Sequence, residues 1–409
     1  MSDSSENFDA DVVVVGGGII GGTFAALLGQ AGVKVVLLDA SVRQLNSLKK
    51  VDARVFAITR ASEQILKKAG AWRRIDESNI ACFRKMHVWD EQGIGEINFD
   101  SAELCQPTMG YIISHQVIVD ALQEKLLDME NVRCIWSESP AFLKTETDHV
   151  LLQTENGLQF QSKLVVAADG GNSKIRSLAN IHYHKHGYNQ SALACVVTTE
   201  YPHAEIARQR FLKRGPLAFL PMVDPCQSAI VWSTSPDHAQ RLKEIDKTTF
   251  HFELEEAFAH ELGEIKGSSE RIVFPLSRAQ AEQYVQPRLA LIGDSAHTVH
   301  PLAGLGANLG LLDAATLAEE LINTVEKGRD PGRLQVLRRY ERWRKGENHS
   351  VMYLMDGFKH LFENEMQSVQ WLRNFGLDIV DSFPLAKHAI MKRAMGLEGN
   401  LPHIARGSH

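Results

Sequence analysis

The stretch DVVVVGGGIIGGTFAALLGQAGVKVVLLD, residues 11–39, decides the fold. Residues 12–15 form a short β-branched run, the composition of a strand covered on both faces in a parallel sheet over 11–15. Glycines follow at once, then the alanine- and leucine-rich TFAALLGQAG with a helical character, then a second apolar run, VKVVLLD, over 33–39. Strand, turn, helix, strand in that order is a βαβ unit. Its turn carries Gly16, Gly18 and Gly21 as G-x-G-x-x-G, and Asp39 ends the second strand 23 residues after Gly16. A lone G-x-G-x-x-G says little. Between a strand and a helix, with an acid closing the next strand, it is a dinucleotide fingerprint. Gly16 permits the tight turn, Gly18 lets a pyrophosphate approach the backbone, and Gly21 lets helix and strand pack closely. The phosphates face the helix N-terminus, where free N–H groups favour anions, and Asp39 accepts from a ribose hydroxyl.

Two further apolar strands end in polar turns. KLVVAADG, 163–170, runs into Asp169-Gly170-x-x-Ser173-x-x-Arg176. RLALIGD, 288–294, ends in Gly293-Asp294 and continues as SAHTVHPLAGLGANLG over 295–310. Around these strands the periodicity predicts helices over 60–70, 115–129, 247–263 and 307–327, and a mostly helical chain over 333–396. Residues 85–99 and 192–236 alternate as antiparallel strands, 132–136 reads as a strand, and Asn156-Gly157 marks a hairpin within 149–161. The fold class is therefore α/β. A Rossmann-like dinucleotide domain with a parallel sheet is built from 8–72, 110–182 and 278–345. It is interleaved with an antiparallel-sheet substrate domain built from 73–109 and 183–277, and a helical C-terminal region covers 346–400. One complete strand–G-x-G-x-x-G–helix unit argues for one tightly held dinucleotide.

Composition bounds the rest. The chain has 409 residues, 44% hydrophobic and 23% charged, within the ordinary globular range. A net charge of −6 provides no basic excess for nucleic acid. Five scattered cysteines without a Cys-x-x-Cys make a poor disulfide framework, so a reducing compartment is the simpler reading. The start, MSDSSENFDAD, is acidic and polar, unlike a signal peptide. No apolar run approaches the length of a membrane-spanning helix. Seventeen histidines form no His-Glu-x-x-His or similar cluster, so no metal is expected, and no Gly-x-Ser-x-Gly elbow supports a serine hydrolase.

The three motifs, in this order and spacing, resemble the single-component FAD-dependent aromatic hydroxylases typified by p-hydroxybenzoate hydroxylase. The likeness is closer to the ubiquinone-biosynthesis branch, through Arg54 in DARVFAITRAS, AWRRI at 71–75, MHVWD at 86–90, GPLAFLP at 215–221, AHTVHPLAG at 296–304, RRYERWRK at 338–345 and MKRAMGL at 391–397. The resemblance implies that Gly16, Gly18 and Gly21 hold the FAD pyrophosphate. Asp39 stands where relatives usually have Glu, Arg54 reaches the phosphate and ribityl region, and Asp169 serves both FAD and NAD(P)H. Gly293 and Asp294 hold the ribityl chain. Pro301 and His300 lie beside the flavin ring, and the backbone N–H groups of Gly306, Ala307 and Asn308 at a helix start face flavin N1 and O2. Reduced flavin is negative there, and a helix N-terminus stabilises that charge. The chain departs from the family pattern at Gly304-Leu305-Gly306, where Gly-Gln-Gly is usual, and at Ser114-His115, where Glu-Asn is usual.

The implied reaction is a monooxygenation. NAD(P)H, a transient reductant, delivers hydride to flavin N5. Reduced flavin with O2 forms a C4a-hydroperoxide, which transfers OH to an electron-rich ring. The implied substrate is a polyprenyl phenol or quinol. The implied location is the cytoplasm, with peripheral contact at the inner membrane face or in a biosynthetic complex; oligomeric state is left open. Phe219, Pro221, Phe274 and Pro275, with Leu220 and Leu276, are the expected apolar pocket wall, with ordinary core as the bland alternative. His297 and His300 read first as loop architecture and second as substrate contacts. The basic run 338–345 reads as a solvated helix face, with lipid or partner contact second. Two rivals stand: a hydroxylase of another small aromatic substrate, whose acid form would need a cationic clamp, and an FAD-bearing scaffold in a biosynthetic assembly.

Overall fold

The computed structural model describes residues 9–42, 54–91, 95–299, 305–363 and 384–407. Its first sheet grows from the opening βαβ unit. Strands Ala10–Val15 and Val35–Asp39 pair in parallel, with helix Ile19–Gln30 between them. Strand Gln159–Ala167 flanks the first on its other side and Leu289–Leu291 lies beyond it, while Val132–Trp136 lies outside Val35–Asp39. These five strands are all parallel, and their order places the first one centrally, where chain direction across the sheet reverses. That reversal opens a crevice at the carboxyl ends of the two central strands, the usual ligand position in such sheets. Val12, Val13, Val14, Leu37, Leu38, Leu164, Val165 and Val166 are buried, as double coverage demands. The hairpin about Asn156-Gly157 forms as expected, with Gly157 at φ +85° and Val150–Thr154 antiparallel to Gln159–Ala167.

Among the described residues the second sheet has nine strands. Its centre is the long strand Tyr183–Thr199, flanked by Ile272–Ala281 and Gln227–Thr234, followed by Gly215–Pro221, Ile206–Leu212, Lys85–Asp90 and Glu96–Asp100. All of these pairings are antiparallel except Ile206–Leu212 with Lys85–Asp90. Its register sorts side chains between two faces. Leu193, Cys195, Leu217, Phe219, Ile230, Trp232 and Val273 pack against Leu242, Phe250 and Leu254 from the helices Pro236–Glu244 and Lys247–Ala257, and against Phe258 just past the second helix. Ala192, Ala194, Ala218, Leu220, Ala229 and Phe274 alternate with that set and take the opposite face.

A third, three-stranded sheet pairs Val55–Thr59 and Ala81–Phe83 with Gly110–Ser114, joining segments from both sides of the expected boundaries near 72 and 109. The two large sheets are tied where His297–Thr298, just after the Gly293-Asp294 turn, pairs with Ala279 and Gln280.

Helix Leu305–Val325 starts two residues before the predicted 307, and Lys247–Ala257 stops well short of 263. The run 338–345 presents the expected solvated face only in part. It belongs to helix Leu334–Glu363, and its Tyr340 and Arg344 are buried while Arg338, Arg339 and Arg342 face outward. A basic count cannot reveal this, because a helix sends residues four apart inward together. The C-terminal residues join the main core: Leu401, Ile404 and Ala405 pack into it, and a side-chain carbon on Gly396 would fall 2.6 Å from Ala61 Cβ.

Candidate active site

The crevice is built from backbone. Gly16 has φ +105°, and a Cβ there would lie 2.3 Å from the Ala168 carbonyl oxygen; one on Gly21 would lie 1.9 Å from the Gly16 carbonyl oxygen. These glycines are required by packing. Gly18 differs: a Cβ there meets nothing within 4 Å. It is the N-cap of helix Ile19–Gln30, and neither a capping side chain nor an acidic first-turn residue covers that helix end. An open position at an uncapped helix N-terminus suits a phosphate.

Asp39 is aimed at this turn. Its Oδ2 accepts from Gly17 N–H, and its Oδ1 from Ser41 N–H at 2.7 Å. The carboxylate is thereby held at the strand end with lone pairs left for a hydroxyl.

The second and third motifs converge on the first. Asp169 Oδ2 accepts from the N–H groups of Lys174 and Ile175 at 2.8 and 3.2 Å, while its Oδ1 accepts from Ser295 Oγ at 3.0 Å. Ser173 caps its own short helix by accepting from Arg176 N–H. The Arg176 guanidinium donates to the carbonyls of Ser295 and Gly171 and lies 3.6 Å over the Tyr183 ring. Ile20 is gripped between two glycines: a Cβ on Gly293 would lie 3.2 Å from Ile20 Cγ1, and one on Gly310 would lie 2.8 Å from Ile20 Cδ1. Asp294 remains exposed, and its carbonyl accepts from Tyr183 Oη at 3.1 Å. The protein packed round its carboxyl raises the pKa, with His297 opposing the shift.

Asn308 is buried at the start of helix Leu305–Val325. Its Oδ1 accepts from Thr59 N–H at 3.0 Å and its Nδ2 donates to the Ala57 carbonyl at 2.7 Å, so the side chain staples strand Val55–Thr59 to the helix start. Gly306 and Ala307 beside it are half-buried. Arg54, exposed, precedes that strand, and its carbonyl accepts from His115 N–H at 2.8 Å. His300 and Pro301 lie outside the described residues.

The expected pocket wall does not hold together. Phe219 is 1% exposed and stacks on Phe258 with centroids 3.7 Å apart, in the helix-covered core. Pro221 and Pro275 share that parity, whereas Phe274, 38% exposed, stands on the other face. The period of two in a strand forbids neighbours such as Phe274 and Pro275 from lining one wall.

Sequence reasoning missed Asp313. It is fully buried in helix Leu305–Val325, and its two oxygens accept from four donors: Gly293 N–H at 3.2 Å, His297 Nε2, Arg344 Nε at 2.8 Å and Asn348 Nδ2 at 3.2 Å. Burial alone would raise its carboxyl, but the His297 and Arg344 charges and their hydrogen bonds outweigh that and hold it at about 2. A lone acid inside the apolar run LGLLDAATLA was the available signal. Among the described residues, no cluster of three or more His, Cys, Asp or Glu could hold a metal.

The FAD binding domain family matches residues 9–352 of the chain. The chain belongs to this family. It is 34% identical over 402 residues to an uncharacterised protein of Synechocystis, covering 97% of this chain and 95% of that one. It is 33% identical over 392 residues to 3-demethoxyubiquinol 3-hydroxylase of Escherichia coli, covering 96% and 100%. With ubiquinone hydroxylase UbiL of Rhodospirillum rubrum it shares 32% over 401 residues, covering 97% and 93%. Among solved structures, p-nitrophenol 4-monooxygenase of Pseudomonas putida superposes with a TM-score of 0.77 at 22% identity, covering 96% and 98%. The fold is that of the FAD-dependent aromatic hydroxylases, and this family member is an FAD-dependent monooxygenase. The open Gly18 position, the uncapped helix end, Asp39 held at its strand end and the exposed Asp294 fit that cofactor.

Proposed function

We propose that this monooxygenase hydroxylates the aromatic ring of a polyprenyl phenol or quinol in ubiquinone biosynthesis, with NAD(P)H as electron source and O2 as oxygen source. The observation that carries the reading is identity near one third, over almost the whole length, to relatives named as ubiquinone-pathway hydroxylases.

When bound, FAD supplies the redox and oxygen-activating chemistry. The residues do the rest. Gly16, Gly18 and Gly21 shape the pyrophosphate cradle, Asp39 and Asp294 accept from sugar and ribityl hydroxyls, and Arg54 balances phosphate charge. The backbone N–H groups of Gly306, Ala307 and Asn308, at a helix start, would favour negative charge on the flavin ring. Asp169 shapes the surface that NAD(P)H visits. The sheet face bearing Ala192, Ala194, Ala218, Leu220, Ala229 and Phe274 supports the ring and the first part of the tail, and excludes water. Apolar contact there suits a prenyl chain. Arg208 and Arg210 have the opposite parity and are spent on carbonyls, at 2.8 Å to His203 and 2.9 Å to Ala257, so neither serves as a carboxylate clamp on this face.

Among the described residues, no helix is long and apolar enough to cross a membrane. The proposed encounter is from the cytoplasmic side with a substrate dissolved in the membrane. Deleting the gene and identifying the accumulated quinone precursor by mass spectrometry tests the reading. A precursor lacking one ring hydroxyl supports it; unchanged quinone content in an aerobic culture without a second hydroxylase overturns it.

A further inference from the structure

We infer that Asp313 and Arg344 are positioning residues for the cofactor. Together they hold the Gly293-Asp294 turn where Asp294 reaches the ribityl chain, so a helix outside the three motifs sets how tightly FAD is bound. The inference rests on the role proposed for Asp294, not on the identity of the substrate.

The geometry is specific. Helix Leu334–Glu363 sends a stripe of three residues, four apart, toward the segment 291–297. Tyr340 Oη donates to the Leu291 carbonyl at 2.7 Å. Arg344 Nε and Asn348 Nδ2 donate to Asp313 Oδ1, and Arg344 Nη2 also donates to Asn348 Oδ1 at 2.9 Å. On the far side of the same carboxylate, Asp313 Oδ2 takes Gly293 N–H and His297 Nε2, the two ends of the turn that contains Asp294. Asp313, Arg344, Asn348 and His297 are all buried. The turn is thus gripped at both ends by one carboxylate, and that carboxylate is gripped by the helix.

Such an arrangement is costly as a mere staple. A buried ion pair rarely outperforms well-packed apolar residues of similar volume, so stability alone is a weak reason for it. What it provides is orientation: two oxygens, each with two donors, leave the carboxylate little rotational freedom. The turn is then fixed to the accuracy a hydrogen-bonded ligand site needs.

The test compares apo and FAD-loaded protein for Asp313→Asn/Arg344→Met and for Arg344→Lys. The double variant removes both charges while keeping similar volumes. Its apo melting temperature is expected to stay close to wild type. Asn keeps a single acceptor oxygen, which can stay with Gly293 N–H and His297, while its N–H2 replaces the oxygen that took Arg344 and Asn348, so the turn loses its tie to helix Leu334–Glu363. Its FAD dissociation constant is expected to rise about tenfold or more, with a shifted absorption band for the flavin that still binds. Arg344→Lys keeps the charge but loses the second donor of the fork, and is expected to loosen FAD several-fold with the same spectral shift. Wild-type affinity and spectrum in both variants overturn the inference. So does a fall in affinity that only tracks a fall in apo stability. If the double variant fails to fold, Arg344→Lys decides by itself. An enzyme that binds FAD normally but hydroxylates no prenylated phenol would defeat the proposed substrate and leave this inference standing.

Discussion

Asp169 accepts a hydrogen bond from Ser295 Oγ at 3.0 Å, and this contact ties together the ends of two parallel strands 126 residues apart in the chain. The same hydroxyl accepts from Gly170 N–H at 3.1 Å. The two polar turns are therefore one structure, and a change in either is felt by the other.

Asp169→Ala leaves three donors, the N–H groups of Lys174 and Ile175 and the Ser295 hydroxyl, without their acceptor. A loss of about 1–3 kcal/mol in unfolding free energy is expected, with weaker FAD binding. With FAD saturating, reduction by NAD(P)H followed by stopped-flow absorbance is expected to slow. An unchanged rate would confine Asp169 to architecture.

Gly18 and Gly21 separate cofactor binding from folding. Gly18→Val projects into open space, so apo protein should fold normally and purify without flavin. Gly21→Val collides with the Gly16 carbonyl and should lower stability by about 1–3 kcal/mol or more. Asp294→Ala, on an exposed side chain, should fold and lose flavin. Flavin occupancy per folded chain, read beside the apo melting curve, checks all three. Full occupancy in Gly18→Val and Asp294→Ala would refute the assigned roles.

The Asp313 carboxyl is held below its unfolded value near 3.9. A depressed acid stabilises the fold above the unfolded pKa and loses that contribution as pH falls toward the folded pKa of about 2. Wild type should exceed Asp313→Asn in urea stability at pH 6, and the gap should narrow as pH drops from about 4 toward 2. A gap that is constant across this window would show that charge on Asp313 contributes nothing.

Phe219 and Phe274 should respond in opposite ways. Phe219→Ala opens a cavity under Phe258 and should cost about 3–5 kcal/mol with little change in KM beyond that loss. Phe274→Ala should leave the melting temperature almost unchanged and raise KM for a prenylated phenol. Equal KM effects would argue against the Phe274 face of the second sheet as the substrate wall.

Tail length tests the substrate directly. Each buried CH2 contributes about 0.8 kcal/mol, so shortening the prenyl chain on one phenol core should weaken binding far more than it slows turnover of the bound ring. Coupled hydroxylation in detergent or lipid measures both. Tight, coupled turnover of a tail-less acid, with none for any prenylated phenol, would promote the small-substrate rival.

Local chemistry was legible in the sequence because it is written in short patterns. Gly16, Gly18, Gly21 and Asp39 declare a dinucleotide turn by their spacing between a strand and a helix, and Val12 to Val15 declare a doubly covered strand by composition. Asn156-Gly157 declares its hairpin because few residue pairs take up that turn without strain. Tertiary structure alone decided which distant residues meet. Nothing in the strand GPLAFLP tells whether Phe219 faces a pocket or a helix; the register with Ile230 and Cys195 puts it against Phe258. Nothing in RRYERWRK separates the buried Arg344 from the exposed Arg342, because both are long cations on one helix and only the packing of that helix over residues 291–297 turns one inward. Asp313 carries no motif for the same reason: its partners lie 16 to 35 residues away, and the energy that selects it, the cost of burying a polar group without a partner, arises only once the chain has closed around it.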